Sequence, residues 1–195
     1  MIVEECSIDC VDTIKKIIGE ALSWFHAYYA SICIETGKCR AVICRNRDAA
    51  LGVGVFYTVD TKPTSIGVIY YVAVEQSFRG FGIGKAIVAS IEELMEASGT
   101  GFYIATTRYD NIAARRMLEE LGYTGIMFED IDDNLREVIE ELTCAYEDDL
   151  LYIKSTRPQS KPFMRMLLDK TNHRIIRELW TILCYRPWIM LRRRR

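Results

Sequence analysis

The chain has 195 residues, half of them apolar, about a quarter charged, and a formal net charge of −2. That length and balance exclude a collagenous, low-complexity or disordered polymer and suit one domain of ordinary size with an extension. No apolar run reaches the roughly 18 to 20 residues a spanning helix needs. The opening "MIVEECSIDC" lacks a basic stretch followed by an apolar one, so no secretory signal is expected and a cytoplasmic setting follows.

In chain order, residues 2–6 read as a strand, and residues 11–30 as a helical region in which Ile14, Ile17, Ile18, Ala21, Leu22 and Phe25 share one face. The aromatic cluster "WFHAYY" closes that region. "RAVICRNRD", "ALGVGVFYTVD" and "SIGVIYYVAVE" are β-branched and aromatic, separated by turn residues, and are predicted as consecutive antiparallel strands. A helix starts near Gly82, with Ile83, Ile87, Ile91 and Leu94 on one face, and Ser98-Gly99 stops it. "GFYIATT" then reads as a strand, "DNIAARRMLEELG" as a helix, "YTGIMFEDI" as a strand, residues 133–146 as a helix and "DLLYIKS" as a last strand. Strands followed by alternating helices and strands imply an α/β fold with a mixed sheet. Residues 156–195 hold two helical segments and a basic end, and are expected as a helical extension appended to a domain over residues 1–155.

Charge is divided along the chain. Residues 129–149 carry ten acidic side chains against Arg136 alone, whereas residues 154–195 carry twelve Lys and Arg against Asp169 and Glu178. Two such segments can face each other, or the basic arm can contact nucleic acid, with Trp180 and Trp188 placed to stack on bases. The apolar spacing of Leu168, Ile175, Ile176, Leu179 and Leu183 favours packing of the arm onto the domain or a second subunit, so nucleic acid is the less favoured partner and a homodimer stays open. The seven cysteines, Cys6, Cys10, Cys33, Cys39, Cys44, Cys144 and Cys184, have irregular spacing without a CxxC pair. Buried or free thiols are expected, with a disulfide among Cys33, Cys39 and Cys44 as the alternative, and no metal site.

The chemistry-bearing segment is "RGFGIGK", residues 79–85. A nucleotide P-loop needs four residues between its glycines and Ser or Thr after the lysine, but only three separate Gly80 from Gly84 and Ala86 follows Lys85. A dinucleotide fingerprint would need glycine where Lys85 stands. The pattern fits a turn whose bare backbone leads into a helix N-terminus, where free amides and the helix dipole hold a pyrophosphate.

The stretch "YYVAVEQSFRGFGIGKAIV" resembles motif A of the GCN5-related N-acetyltransferases (GNAT), with Arg79, Gly82 and Gly84 at its signature places. "NIAARRMLEELGY" resembles the family's second motif through Asn111, Ala114, Gly122 and Tyr123. The resemblance covers roughly residues 1–155 and implies a splayed mixed β-sheet with acetyl-CoA as co-substrate and an amine of a small molecule, protein or peptide as acceptor. It implies that backbone of Val72, Ala73 and Val74 binds the pantetheine arm and polarises the thioester carbonyl. The turn formed by Arg79, Gly80, Phe81, Gly82, Ile83, Gly84 and Lys85 would hold the pyrophosphate, and Asn111 would contact the cofactor. Many members carry an acidic tyrosine seven residues after that asparagine, where this chain has Leu118; family carboxylate bases correspond to Val68 or Thr106. Tyr109 is the replacement candidate for the acid and Glu75, through water, for the base. His26 would lie near the acceptor's entrance, as a base or as a packed aromatic neighbour. A catalytically degenerate acyl-CoA sensor is the alternative that Leu118 suggests.

Overall fold

The computed structural model describes residues 1–6, 8–156 and 163–193. Seven strands run in chain order: β1 (Ile2–Cys6), β2 (Arg40–Asn46), β3 (Ala49–Val59), β4 (Ile66–Val74), β5 (Phe102–Thr107), β6 (Thr124–Met127) and β7 (Leu150–Ser155). Eight α-helices accompany them among the described residues: α1 (Val11–Ala21), α2 (Trp24–Glu35), α3 (Ile83–Ala97), α4 (Ile112–Glu120), α5 (Asp133–Thr143), α6 (Phe163–Leu167), α7 (Lys170–Trp180) and α8 (Arg186–Arg192). The strands form one mixed sheet in the order β1-β2-β3-β4-β5-β7-β6. Two compact units divide the chain, Met1–Tyr57 with Ile69–Met95, and Thr58–Val68 with Glu96–Arg195, so that β3 and β4 each run through both.

In the first unit β1, β2 and β3 are successive antiparallel neighbours, with an irregularity between Cys44 and Arg45. Residues 51–57 of β3 are buried on both faces, which explains a near-continuous apolar run where a half-exposed strand would alternate. Gly54 is the reason α3 can lie so close. A methyl group there would come within 2.6 Å of Ile87 Cγ2 and 2.7 Å of Ile91 Cδ1. The single helical region expected over residues 11–30 is instead two helices. Leu22 breaks from helical geometry, and Ser23 in extended backbone accepts a bond from the His26 amide at 3.4 Å, the side-chain cap that starts α2. "WFHAYY" therefore opens a helix that continues to Glu35. Its apolar positions run all round rather than on one stripe; Ala27, Tyr29, Ala30, Cys33 and Ile34 are buried, while Trp24 and Phe25 at its start are exposed.

In the second unit β7 lies between β5 and β6 and is antiparallel to both. Asn172 on α7 is fully buried, and every part of its amide is used. Its Oδ1 accepts from the Lys62 amide at 2.7 Å, while Nδ2 donates to the carbonyls of Lys62 at 2.7 Å and Met166 at 2.9 Å. Phe163, Met166, Leu167, Ile176 and Leu183 from the C-terminal helices are buried, and Phe163 packs edge-on against Phe102. Leu168, expected on the same packing face, is 58% exposed because α6 ends before it. The acidic and basic segments do meet: buried Glu141 of α5 lies 3.3 Å from Arg177 and 3.4 Å from His173 of α7.

Free thiols are the exception rather than the rule. Cys6–Cys10, Cys33–Cys39 and Cys144–Cys184 are bonded, and Cys44 is free and buried. The Cys33–Cys39 bond is the alternative expected among Cys33, Cys39 and Cys44, whereas Cys6–Cys10 and Cys144–Cys184 were not expected. At the end of α2 the carbonyl of Cys33 accepts from the amides of Lys38 and Cys39 at 3.1 and 3.0 Å, with Gly37 left-handed at φ 67°, and this turn brings Cys39 back.

Candidate active site

The glycine turn sits wholly in the first unit. Gly80 and Gly82 have φ of 83° and 78°, a region that side-chain-bearing residues seldom occupy, and a Cβ at either would meet no atom within 4 Å. The turn thus faces open space with bare backbone. Gly84 lies already in α3, whose first helical bond runs from the Ala86 amide to the Gly82 carbonyl at 3.0 Å. The amides of Ile83 and Gly84 in that first turn have no acceptor within the helix, and the positive end of the helix dipole lies beside them. Phe81 is 76% exposed, and Ile83 is buried and anchors the turn.

Arg79 holds this geometry. Its Nε donates to the Val74 carbonyl at 3.1 Å and its Nη2 to the Ala21 carbonyl at 3.3 Å, tying the turn to the ends of β4 and α1. Val72, Ala73 and Val74 form the last turn of pleat in β4, with Ala73 buried. Glu75 follows directly, its amide bonded to the Leu51 carbonyl at 2.9 Å and its carboxylate accepting from the Ser77 hydroxyl at 3.2 Å. His26 belongs to the same unit, 2.7 Å from the Ser23 hydroxyl through Nδ1 and edge-on to the ring of Tyr71 on β4. The observed geometry is that of a histidine held by a capping serine and an aromatic neighbour.

The second unit carries the other expected residues. Asn111 caps α4, its Oδ1 accepting from the Ala114 amide at 3.2 Å. Tyr109, two residues earlier, is 54% exposed; its amide donates to the Asp149 carboxylate at 2.9 Å, and the Arg115 guanidinium lies 4.4 Å above its ring. Leu118 is buried and belongs to the core, and so does Val68. A cleft of about 420 Å³ is lined by Tyr109, Arg115, Glu119, Gly125, Ile126, Met127, Asp130, Leu150 and Tyr152. There the Tyr152 hydroxyl donates to Glu119 at 2.9 Å, and burial, with that carboxylate, pushes the Tyr152 phenol above its usual range. Gly125 opposite leaves room for the Tyr152 ring, whose atoms a Cβ would approach to 3.1 Å. Sequence reading missed Tyr152 and Glu119, which come from separate elements and carry no spacing signal.

The chain matches the Acetyltransferase (GNAT) family over residues 12–123, more than half its length. It belongs to that family. No curated protein matches it closely enough to count as a relative. Among solved structures, a chain in the NatC complex bound to Gag peptide and CoA is similar at 20% identity and TM-score 0.56, covering 80% of this chain and 100% of that one. PaiA N-acetyltransferase from Thermoplasma acidophilum, in complex with coenzyme A, is similar at 12% identity and TM-score 0.57, covering 80% and 99%. IAA acetyltransferase from Bacillus cereus ATCC 14579 matches at 16% identity and TM-score 0.56, covering 79% and 98%. At such identities the likeness speaks for the GNAT fold. Acetyl-CoA is the co-substrate of this family, and the turn is compatible with its pyrophosphate: the backbone is bare, two glycines have positive φ, and open space lies before them. Among the described residues no group of His, Cys, Asp or Glu is arranged to hold a metal, and no helix is long and apolar enough to cross a membrane.

Proposed function

We propose that the chain is an N-acetyltransferase that moves the acetyl group of acetyl-CoA directly to an amine of a small molecule or protein within one ternary complex. The observation that carries this reading is the open, side-chain-free turn of Gly80 and Gly82 at the start of α3, fixed by Arg79. Residues 79–85 would hold the pyrophosphate, Val72, Ala73 and Val74 the pantetheine arm, and Asn111 a further part of the cofactor. Acetyl-CoA supplies an activated thioester with a good leaving group. Backbone amides at the end of β4 would stabilise charge building on the carbonyl oxygen, and fixed positioning would carry much of the acceleration.

Two protons then need places. Buried Leu118 takes up none, so Tyr109, exposed and bracketed by Arg115 and Asp149, is assigned as the acid for the departing thiolate. Glu75, half-buried at the end of β4, is assigned as the base that draws the amine proton through water. The division into a catalytic domain over residues 1–155 and an extension over residues 156–195, and a cytoplasmic setting, are part of the same reading.

Calorimetric titration with acetyl-CoA and CoA, on the wild type and on Gly82→Trp, tests the seat. Binding is expected in the wild type and lost in the variant, because an indole would fill the turn and strain its φ. Thiol release over monoamines, diamines and peptides then tests transfer; the peptide bound to the NatC complex is the reason to include peptides. Binding without turnover on any amine would replace the enzyme by an acyl-CoA sensor, and no binding would remove the cofactor reading.

A further inference from the structure

Arg115 stands against its local preferences. It is the fourth residue of α4, in the first turn, where the positive end of the helix dipole disfavours a cation. Its Nε is buried and has no hydrogen-bond partner among the described residues. Arg116 beside it is exposed, as an arginine on a surface helix ordinarily is. Arg115 instead folds back along the chain. Its Nη1 donates to the Tyr109 carbonyl at 3.0 Å, and its guanidinium carbon lies over the Tyr109 ring, 4.4 Å from the centre. Neither contact serves α4 itself.

The other side of Tyr109 is held as well. Its amide donates to the Asp149 carboxylate at 2.9 Å. Asp149 is fixed in turn by backbone bonds, from its amide to the Thr107 carbonyl at 3.2 Å and from the Phe128 amide to its own carbonyl at 2.8 Å. Tyr109 is thus pinned to α4 through Arg115 and to the start of β7 through Asp149. A surface tyrosine that is 54% exposed is ordinarily left to move among rotamers. This one has both backbone polar groups bonded and a cation on its ring.

The two contacts differ in kind. Asp149 acts on backbone alone, whereas the guanidinium also faces the ring. When Tyr109 acts as the acid, its O–H bond breaks, the departing thiolate takes the proton to form S–H, and the ring is left as phenolate until solvent returns a proton. A cation at 4.4 Å favours that new charge by about fivefold even at the dielectric of bulk water. Given Tyr109 as the acid, on which this rests, we propose that Arg115 is a positioning residue for acetyl transfer: it holds Tyr109 in place beside the cleft and offsets the charge its ring gains as the proton leaves.

Thiol release by the full chain, with the best acceptor among the monoamines, diamines and peptides, tests this alongside acetyl-CoA titration of each variant. Arg115→Gln should lower kcat about tenfold, with acceptor KM and acetyl-CoA affinity within about twofold of wild type. Arg115→Lys keeps the charge and should retain most of the rate. In a Tyr109→Phe background, Arg115→Gln should change kcat by less than about twofold, because the group it serves is gone. Asp149→Ala, which frees the other side of Tyr109, should follow the same pattern and serves if Arg115→Gln does not fold. Wild-type kcat in Arg115→Gln, equal losses with and without the Tyr109 hydroxyl, or a lysine no better than a glutamine would overturn the role of Arg115 while Tyr109→Phe stayed slow. Wild-type kcat in Tyr109→Phe, or no thiol release with any amine, would remove the acid itself and the positioning of it together.

Discussion

Individual residues in this chain divide into those that shape backbone and those that offer a titratable group. Gly54 belongs to the first kind, since any side chain there would collide with Ile87 and Ile91. Glu5 belongs to the second. It accepts from Arg40 Nε at 2.6 Å and Nη2 at 2.9 Å, and this bidentate bond lowers its pKa below the usual glutamate value of 4.5. A carboxyl whose folded pKa is depressed adds stability above its unfolded pKa and loses it as pH falls through the folded value. Because the pair is exposed, Glu5→Gln should lower stability by less than about 1 kcal/mol at pH 7. The difference from wild type should shrink as pH falls below the usual glutamate value and vanish once pH passes beneath the depressed folded value, as thermal melts across pH would show. Tyr109 carries the chemical prediction at this scale: Tyr109→Phe should lower kcat by about a hundredfold or more with acetyl-CoA affinity unchanged. A variant with wild-type kcat would return the acid's role to another group.

Elements are held together by a few polar residues that propensity alone does not mark. The break between α1 and α2 had a sequence signal in Ser23, which can cap a helix beginning at Trp24, but unbroken apolar spacing across residues 14–25 masked it. Asn172 had none, because its partner Lys62 is 110 residues away and an asparagine inside a helical segment reads as a solvated face. Removing its side chain leaves the Lys62 amide and two carbonyls unpaired in a buried place. Asn172→Ala should therefore cost about 3 kcal/mol, read from the urea midpoint. A cost under about 1 kcal/mol would mean that water replaces the amide there. Glu141 works in the same way between α5 and α7, since a buried carboxylate is tolerable only beside Arg177 and His173.

For the whole molecule, the C-terminal segment is part of the second unit's core even though composition sets it apart. Phe163, Met166, Leu167, Ile176 and Leu183 are buried, and the Cys144–Cys184 bond spans 40 residues between α5 and the end of α7's extension. Truncation after Ser155 should therefore abolish a cooperative melt of this unit, and a truncated chain melting like the full one would show that the extension folds on its own account. Reduction of the intact chain should also lower stability, by about 4 kcal/mol for the Cys144–Cys184 loop on chain-entropy grounds. Much of the fold was legible without coordinates. Strands announce themselves through β-branched runs and helices through apolar spacing, and the glycine turn is encoded within seven consecutive residues that need no distant partner. What tertiary structure alone decided are the insertion of β7 between β5 and β6, the burial of Asn172 and Glu141, the cleft at Tyr152 and the pinning of Tyr109 to Asp149. Each depends on which distant segments come together, and the chain's local energies are nearly indifferent to that choice until packing and desolvation make it.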